Sequence, residues 1–147
     1  PEHKGYAAEL EATQASVKRM REAGIRVLVG GDYGLNITPH GTYAKELQYF
    51  TDYFGFSPGE ALQAATKHGG EAFMPDGSLG TLEAGKIADM VIVKGNPLEQ
   101  IGVLQDADAI AAVIKEGQIY AGLLDNQSPH QKNAEQMNQL LEARPCN

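Results

Sequence analysis

Residues 25–32, IRVLVGGD, constrain the fold more than any other stretch of this chain. Ile25, Val27, Leu28 and Val29 are apolar and mostly β-branched, interrupted only by Arg26, and they run directly into Gly30 and Gly31. A short, nearly continuous apolar run of this kind reads as a strand buried on both faces, the pattern of a parallel strand covered by helices. The preceding segment agrees. Residues 6–23 (YAAELEATQASVKRMREA) place Leu10, Val17 and Met20 on one helical stripe. Lys18, Arg19 and Arg21 suit the negative end of the helix dipole, and Gly24 is a natural stop. Helix, glycine turn and buried strand form the αβ half of a parallel α/β unit.

Asp32 stands where such a strand would end. α/β proteins place ligands at that end of the sheet. A carboxylate there is expected to be partly desolvated, which suits a metal ligand or a general base. The competing reading is a loop aspartate that caps a turn. The flanking glycines favour function, because they let a ligand approach the backbone. The loop GGDYGLNITPHG also holds His40, which could bind substrate or orient a neighbouring carboxylate; an exposed or capping histidine is the ordinary alternative. Tyr33 and Asn36 are weaker pocket candidates. Glu46, on the helix after the loop, could fix His40 or Arg26, or be a solvated helix charge.

Two helices are expected next, over 43–54 (YAKELQYFTDYF) and 58–67 (PGEALQAATK). The second begins with Ser57 as N-cap, Pro58 at the first position and Glu60 three after the cap. A short helical turn can cover 68–73. After Met74 the character changes. PDGS is a turn, ADMVIVK is a strand, and AIAAVI with QIYA reads as a hairpin around KEGQ. The tail from Ser128 is polar and helical in pattern, with Met137, Leu140 and Leu141 on one side.

Several classes are set aside. The net charge of -7 disfavours a phosphate backbone, so no nucleic-acid partner is expected. No apolar stretch is long enough to span a membrane. The single cysteine, Cys146, cannot form an internal disulfide, which fits a reducing compartment and a cytoplasmic location. His3, His40, His68 and His130 include no HxH or HExxH spacing, and no phosphate loop or GxSxG elbow is present. The chain begins at Pro1 without Met or leader, so it is expected to start partway through something larger.

The blocks AGIRVLVGGDYG, PHG, SPGEALQAAT, GSLGTLEAGKIADMVIVKGNPL and VIKEGQIY occur in an order that resembles the C-terminal third of the amidohydrolase superfamily, closest in flavour to its imidazolonepropionase-like and prolidase-like group. The match runs from about residue 6 to about 121. Its most specific part, GTLEAGKIADMVIV, is similar to the family pattern LGxLxxGKxADLVVL. The resemblance implies an α/β fold: the C-terminal part of a (β/α)8 TIM-type barrel over residues 1–74, strands of a small β-sandwich over 75–122, and a polar helical tail over 123–147. It implies that Asp32 is a metal ligand and the general base toward a hydrolytic water. The resemblance also implies that His40 helps form the substrate pocket, and Tyr33, from its place in the loop, is expected to contact substrate beside it. The family more often has Thr before this Asp, where Gly31 stands here. A divalent metal is implied, zinc by family habit, although the residues do not distinguish zinc from other divalent ions. The family's HxH, bridging Lys and further His ligands belong to earlier strands and are not in this sequence, so the rest of the enzyme, as an N-terminal portion or as another chain, is an implied partner. The substrate would be a small amide or dipeptide-like molecule, and a homo-oligomer is expected. Two readings therefore stand: part of a metal-dependent hydrolase of C–N bonds, or a non-catalytic piece that serves folding or assembly.

Overall fold

The computed structural model describes residues 2–122. Helix α1 spans Glu2–Glu22, starting earlier than the apolar stripe requires. Gly24 ends it at φ +73°. That conformation lets Gly24 N donate to Arg21 O (2.9 Å) and Ile25 N to Met20 O (2.9 Å), the paired bonds of a Schellman stop. The expected stripe is not buried as a whole: Leu10 and Met20 are exposed and Val17 is half-buried.

The run 25–30 departs from expectation. It forms no strand, and Ile25 is 56% and Leu28 39% exposed. The reason is the absence of a ladder partner. A strand exists only through hydrogen bonds to a neighbour, and among the described residues none engages the main chain of residues 26–29. From Arg26 on, burial still alternates: Val27 and Val29 face the core and Arg26 and Leu28 face away, while Ile25, directly after the Gly24 turn, stays exposed. The segment keeps the side-chain period of a strand with one face covered instead of two.

Helix α2 spans Lys45–Tyr53 and buries Leu47 and Phe50. Helix α3, Pro58–Gln63, opens with the expected capping box. Glu60 N donates to Ser57 Oγ (3.3 Å), and Ser57 N donates to Glu60 Oε2 (2.8 Å). The helical path continues through a π-helical turn, Ala64–His68, into α4, Gly69–Phe73. Leu47, Phe50, Ala61, Ala64 and Ile101 form the core cluster, with Val27, Val29, Phe54, Phe56, Leu62 and Leu104 packed around it.

The second half is an antiparallel three-stranded sheet in the order β1 (Met90–Val93), β2 (Ile110–Lys115), β3 (Gln118–Gly122). Lys115 pairs with Gln118, leaving the two-residue turn Glu116–Gly117. Their φ values of 50° and 76° are those a type I′ turn demands. Glu116 N donates to Asp89 Oδ1 (2.8 Å) and Gly117 N to Ala88 O (2.9 Å), which pins the hairpin to the start of β1. No helix among the described residues is long and apolar enough to cross a membrane. The helical tail expected from Ser128 lies outside the described residues.

Candidate functional site

The loop after residue 29 is held from three sides. Glu46, half-buried on the first turn of α2, accepts at Oε1 from Gly30 N (3.1 Å). Its Oε2 lies 3.4 Å from the Tyr33 hydroxyl, which also donates to Tyr43 O at 3.3 Å. Thr38 Oγ1 donates to the Asp32 carbonyl at 2.7 Å. A small turn stabilises Thr38: its N donates to Leu35 O (3.0 Å), and Gly34 N donates to Thr38 O (2.9 Å). Residues 30, 32 and 33 are thus each fixed by a partner outside the run.

Asp32 is exposed, so the desolvation expected at a sheet mouth is not supplied by this chain's described residues. Its backbone is anchored, but its carboxylate makes no hydrogen bond or ion pair among them. An oxygen pair on an anchored backbone, uncommitted to neighbours, is available to a metal or a proton. No group of three or more His, Cys, Asp or Glu among the described residues could hold a metal ion. Catalytic zinc commonly takes about three protein ligands. Asp32 therefore fits one corner of a metal site and not a whole one.

His40 lies at the other end of the loop. Its Nδ1 is 2.8 Å from the Tyr43 hydroxyl, and its Nε2 packs against Gly34, where an added Cβ would come within 2.9 Å. Gly34 has φ +105°, so both space and backbone call for glycine there. The Tyr43 ring meets the Tyr33 ring edge-on at 4.6 Å and the His40 ring at 6.2 Å. Tyr33 and His40 are thus brought together through Tyr43, a residue the sequence did not single out. Burial, then the Glu46 charge and hydrogen bond, push the Tyr33 hydroxyl above its usual pKa. Asn36 stands exposed at the tip of the turn. Glu46 engages neither His40 nor Arg26; Arg26 pairs with Glu71. Thr38 was also unforeseen, because no local spacing announces a hydroxyl that reaches back to a carbonyl.

Gly31 sits between these groups. A Cβ there would lie 2.7 Å from Tyr33 Cε2 and 3.0 Å from Glu46 Oε2. The missing side chain makes room for the Tyr33 ring to fold back toward Glu46.

The amidohydrolase family model matches residues 6–120. The chain belongs to that family. It is 34% identical over 116 residues to ochratoxinase of Aspergillus niger, covering 78% of this chain and 22% of that one. It is 31% identical over 110 residues to imidazolonepropionase of Symbiobacterium thermophilum, covering 75% and 26%. A crystal structure of A. niger ochratoxinase superposes with a TM-score of 0.68 at 31% identity, covering 76% of this chain and 25% of that one. A Xaa-Pro dipeptidase with bound methionine in its active site superposes with a TM-score of 0.64 at 34% identity, covering 74% and 25%. The chain spans about a quarter of the length of these relatives, and the fold class they share with it is α/β.

Proposed function

We propose that this chain is the C-terminal portion of a metal-dependent amidohydrolase that cleaves a C–N bond in a peptide, amide or cyclic amide. The observation that carries the reading is Asp32: a carboxylate without a partner among the described residues, on a backbone clamped by Thr38 and flanked by the Glu46 contacts, in a chain of this family. Residues 1–74 would supply the last helix and strand of a barrel, residues 75–122 part of a β-sandwich, and 123–147 a helical tail. The exposure of Ile25 and Leu28 and the unbonded main chain of 26–29 support the first assignment, since adjacent barrel strands would cover both.

Asp32 would serve as one oxygen ligand of a divalent metal, zinc by family habit, with the remaining donors outside this chain. Such a metal, when bound, supplies a water of lowered pKa. Asp32 takes a proton at its carboxylate from the attacking water and returns it to the leaving nitrogen. His40 offers its exposed ring to the substrate while Tyr43 fixes it through Nδ1. Tyr33, whose hydroxyl is turned toward Glu46, offers its ring. The substrate is a small amide or dipeptide-like molecule, as the names ochratoxinase, imidazolonepropionase and Xaa-Pro dipeptidase each allow.

The test is Asp32→Asn in the complete protein, assayed on a panel of N-acyl amino acids and Xaa-Pro dipeptides. Turnover is expected to fall by at least about 100-fold, the usual scale of general acid–base catalysis. Near-normal turnover would sink the assignment and favour a folding or assembly role.

A further inference from the structure

We propose that Glu46 is a positioning residue for Asp32, acting through a unit made of Gly30, Gly31 and Tyr33. The inference rests on the reading of Asp32 given above and adds what aims that carboxylate. Among the described residues, Glu46 is the one side chain that hydrogen-bonds the loop on both sides of Asp32. Oε1 takes the Gly30 amide, two residues before it, at 3.1 Å. Oε2 faces the Tyr33 hydroxyl, one residue after it, at 3.4 Å. The carboxylate stands on the first turn of α2, whose Leu47 and Phe50 are buried in the core. The loop is therefore tied to a helix seated in the core cluster as well as to its own turn.

Gly31 belongs to the same device. Any side chain at that position would meet the Tyr33 ring at 2.7 Å and the Glu46 carboxylate at 3.0 Å. A side chain there cannot coexist with Tyr33 in this position. Gly31, Tyr33 and Glu46 form a matched set, and Asp32 hangs between them. Catalytic groups displaced by about 1 Å can lose on the order of 100-fold in rate, so a support of this kind is worth detecting in kcat.

The experiment compares Glu46→Ala, Glu46→Gln and Asp32→Asn in the complete protein, with kcat, KM and thermal midpoint measured for each. Glu46→Ala is expected to lower kcat by about 10- to 100-fold with KM within about twofold, the scale seen when a supporting contact to a catalytic ligand is lost. Glu46→Gln keeps an oxygen for the Gly30 amide and is expected to recover most of kcat. If Glu46→Ala lowers only the thermal midpoint and keeps wild-type kcat while Asp32→Asn is inactive, the positioning role is overturned and the Asp32 reading survives. If Asp32→Asn itself turns over normally, the underlying reading falls. Should Glu46→Ala fail to fold, Tyr33→Phe removes one hand of the clamp without touching α2. A several-fold loss in its kcat at unchanged KM supports the proposal, and an unchanged kcat overturns it.

Discussion

Arg21 of α1 and Glu60 of α3 meet through a 2.9 Å bond from Nη2 to Oε1, and this contact closes the molecule across the segment between α2 and α3. The same guanidinium donates from Nη1 to the carbonyls of Phe54 (3.1 Å) and Gly55 (2.5 Å) and stacks 4.0 Å above the Phe56 ring. Because Glu60 is also the closing residue of the Ser57 capping box, one carboxylate links a helix cap to a helix end.

The geometry predicts that Arg21→Ala costs more than loss of the ion pair alone. Half-exposed ion pairs contribute about 0–1 kcal/mol. Two carbonyl acceptors left without their donor and a lost cation–π stack add to that, for about 2–3 kcal/mol together. Arg21→Lys should recover little, since an ammonium cannot present the planar fork. Glu60→Gln should cost less than Arg21→Ala. Chemical denaturation of the three variants checks the order, and equal losses for Arg21→Ala and Glu60→Gln would contradict it.

A pH dependence follows from Glu60. The Ser57 amide and hydroxyl, and then Arg21, hold its carboxyl below the ordinary value of 4.5. A carboxyl depressed in the folded state adds stability that is fully present above the unfolded value and is lost as pH falls through the folded one. The loss is therefore expected below about pH 4.5. Because half of the side chain is exposed, its size should be small and should shrink in high salt. Acid melts of wild type and Glu60→Gln, compared at two ionic strengths, read this directly. Curves that stay parallel through the acid range would refute it.

The Glu60 box was legible in sequence because a cap is local: Ser57, Pro58 and Glu60 carry the whole arrangement. The hairpin at Glu116–Gly117 was legible for the same reason. The run IRVLVG reads as a strand buried on both faces, yet it forms no ladder and covers one face only, because a ladder needs a neighbour the described residues lack. Asp32 was visible as a position; the contacts that set it were not. Glu46 reaches a backbone amide 16 residues away, and no periodicity encodes that. Tyr43 and Thr38 escaped notice because their roles depend on how the loop folds back on itself.

Gly31 yields a catalytic prediction that tests its coupling to Glu46. Gly31→Ala places a methyl group 2.7 Å from the Tyr33 ring, so the ring must swing away from Glu46. If the two act as one unit, the double variant Gly31→Ala, Glu46→Ala should be little worse in kcat than Glu46→Ala alone. Fully additive losses would show that Gly31 acts by another route.

Gly70 and Gly80 should tolerate no side chain. At Gly70 a Cβ would sit 2.6 Å from Leu79 O and 2.7 Å from Gly80 Cα, and at Gly80 (φ +99°) 2.6 Å from Thr66 O. Each obstacle is backbone, which cannot rotate aside. This close crossing joins the π-helical turn to the GSLG segment that leads toward β1. Gly80→Ala carries both steric conflict and a conformational penalty, so a loss of about 2–4 kcal/mol is expected. Gly77, at φ +75° with open space around it, provides the control: Gly77→Ala should cost only the conformational part, about 1 kcal/mol.

The unpaired run supplies the test of how this chain sits in a larger molecule. In the chain of 147 residues studied alone, the amides of Arg26, Val27, Leu28 and Val29 have no acceptor among the described residues and should exchange rapidly with solvent deuterium. In a complete barrel, strands on either side would bond those amides and cover Ile25 and Leu28. Exchange there should slow by several orders of magnitude, while amides of the β2–β3 hairpin, already paired within the chain, should change little. Peptide-level exchange of the short and complete proteins separates the cases. Equal rates at residues 26–29 would mean that no strand adds to this edge, and the barrel assignment of residues 1–74 would fall with it.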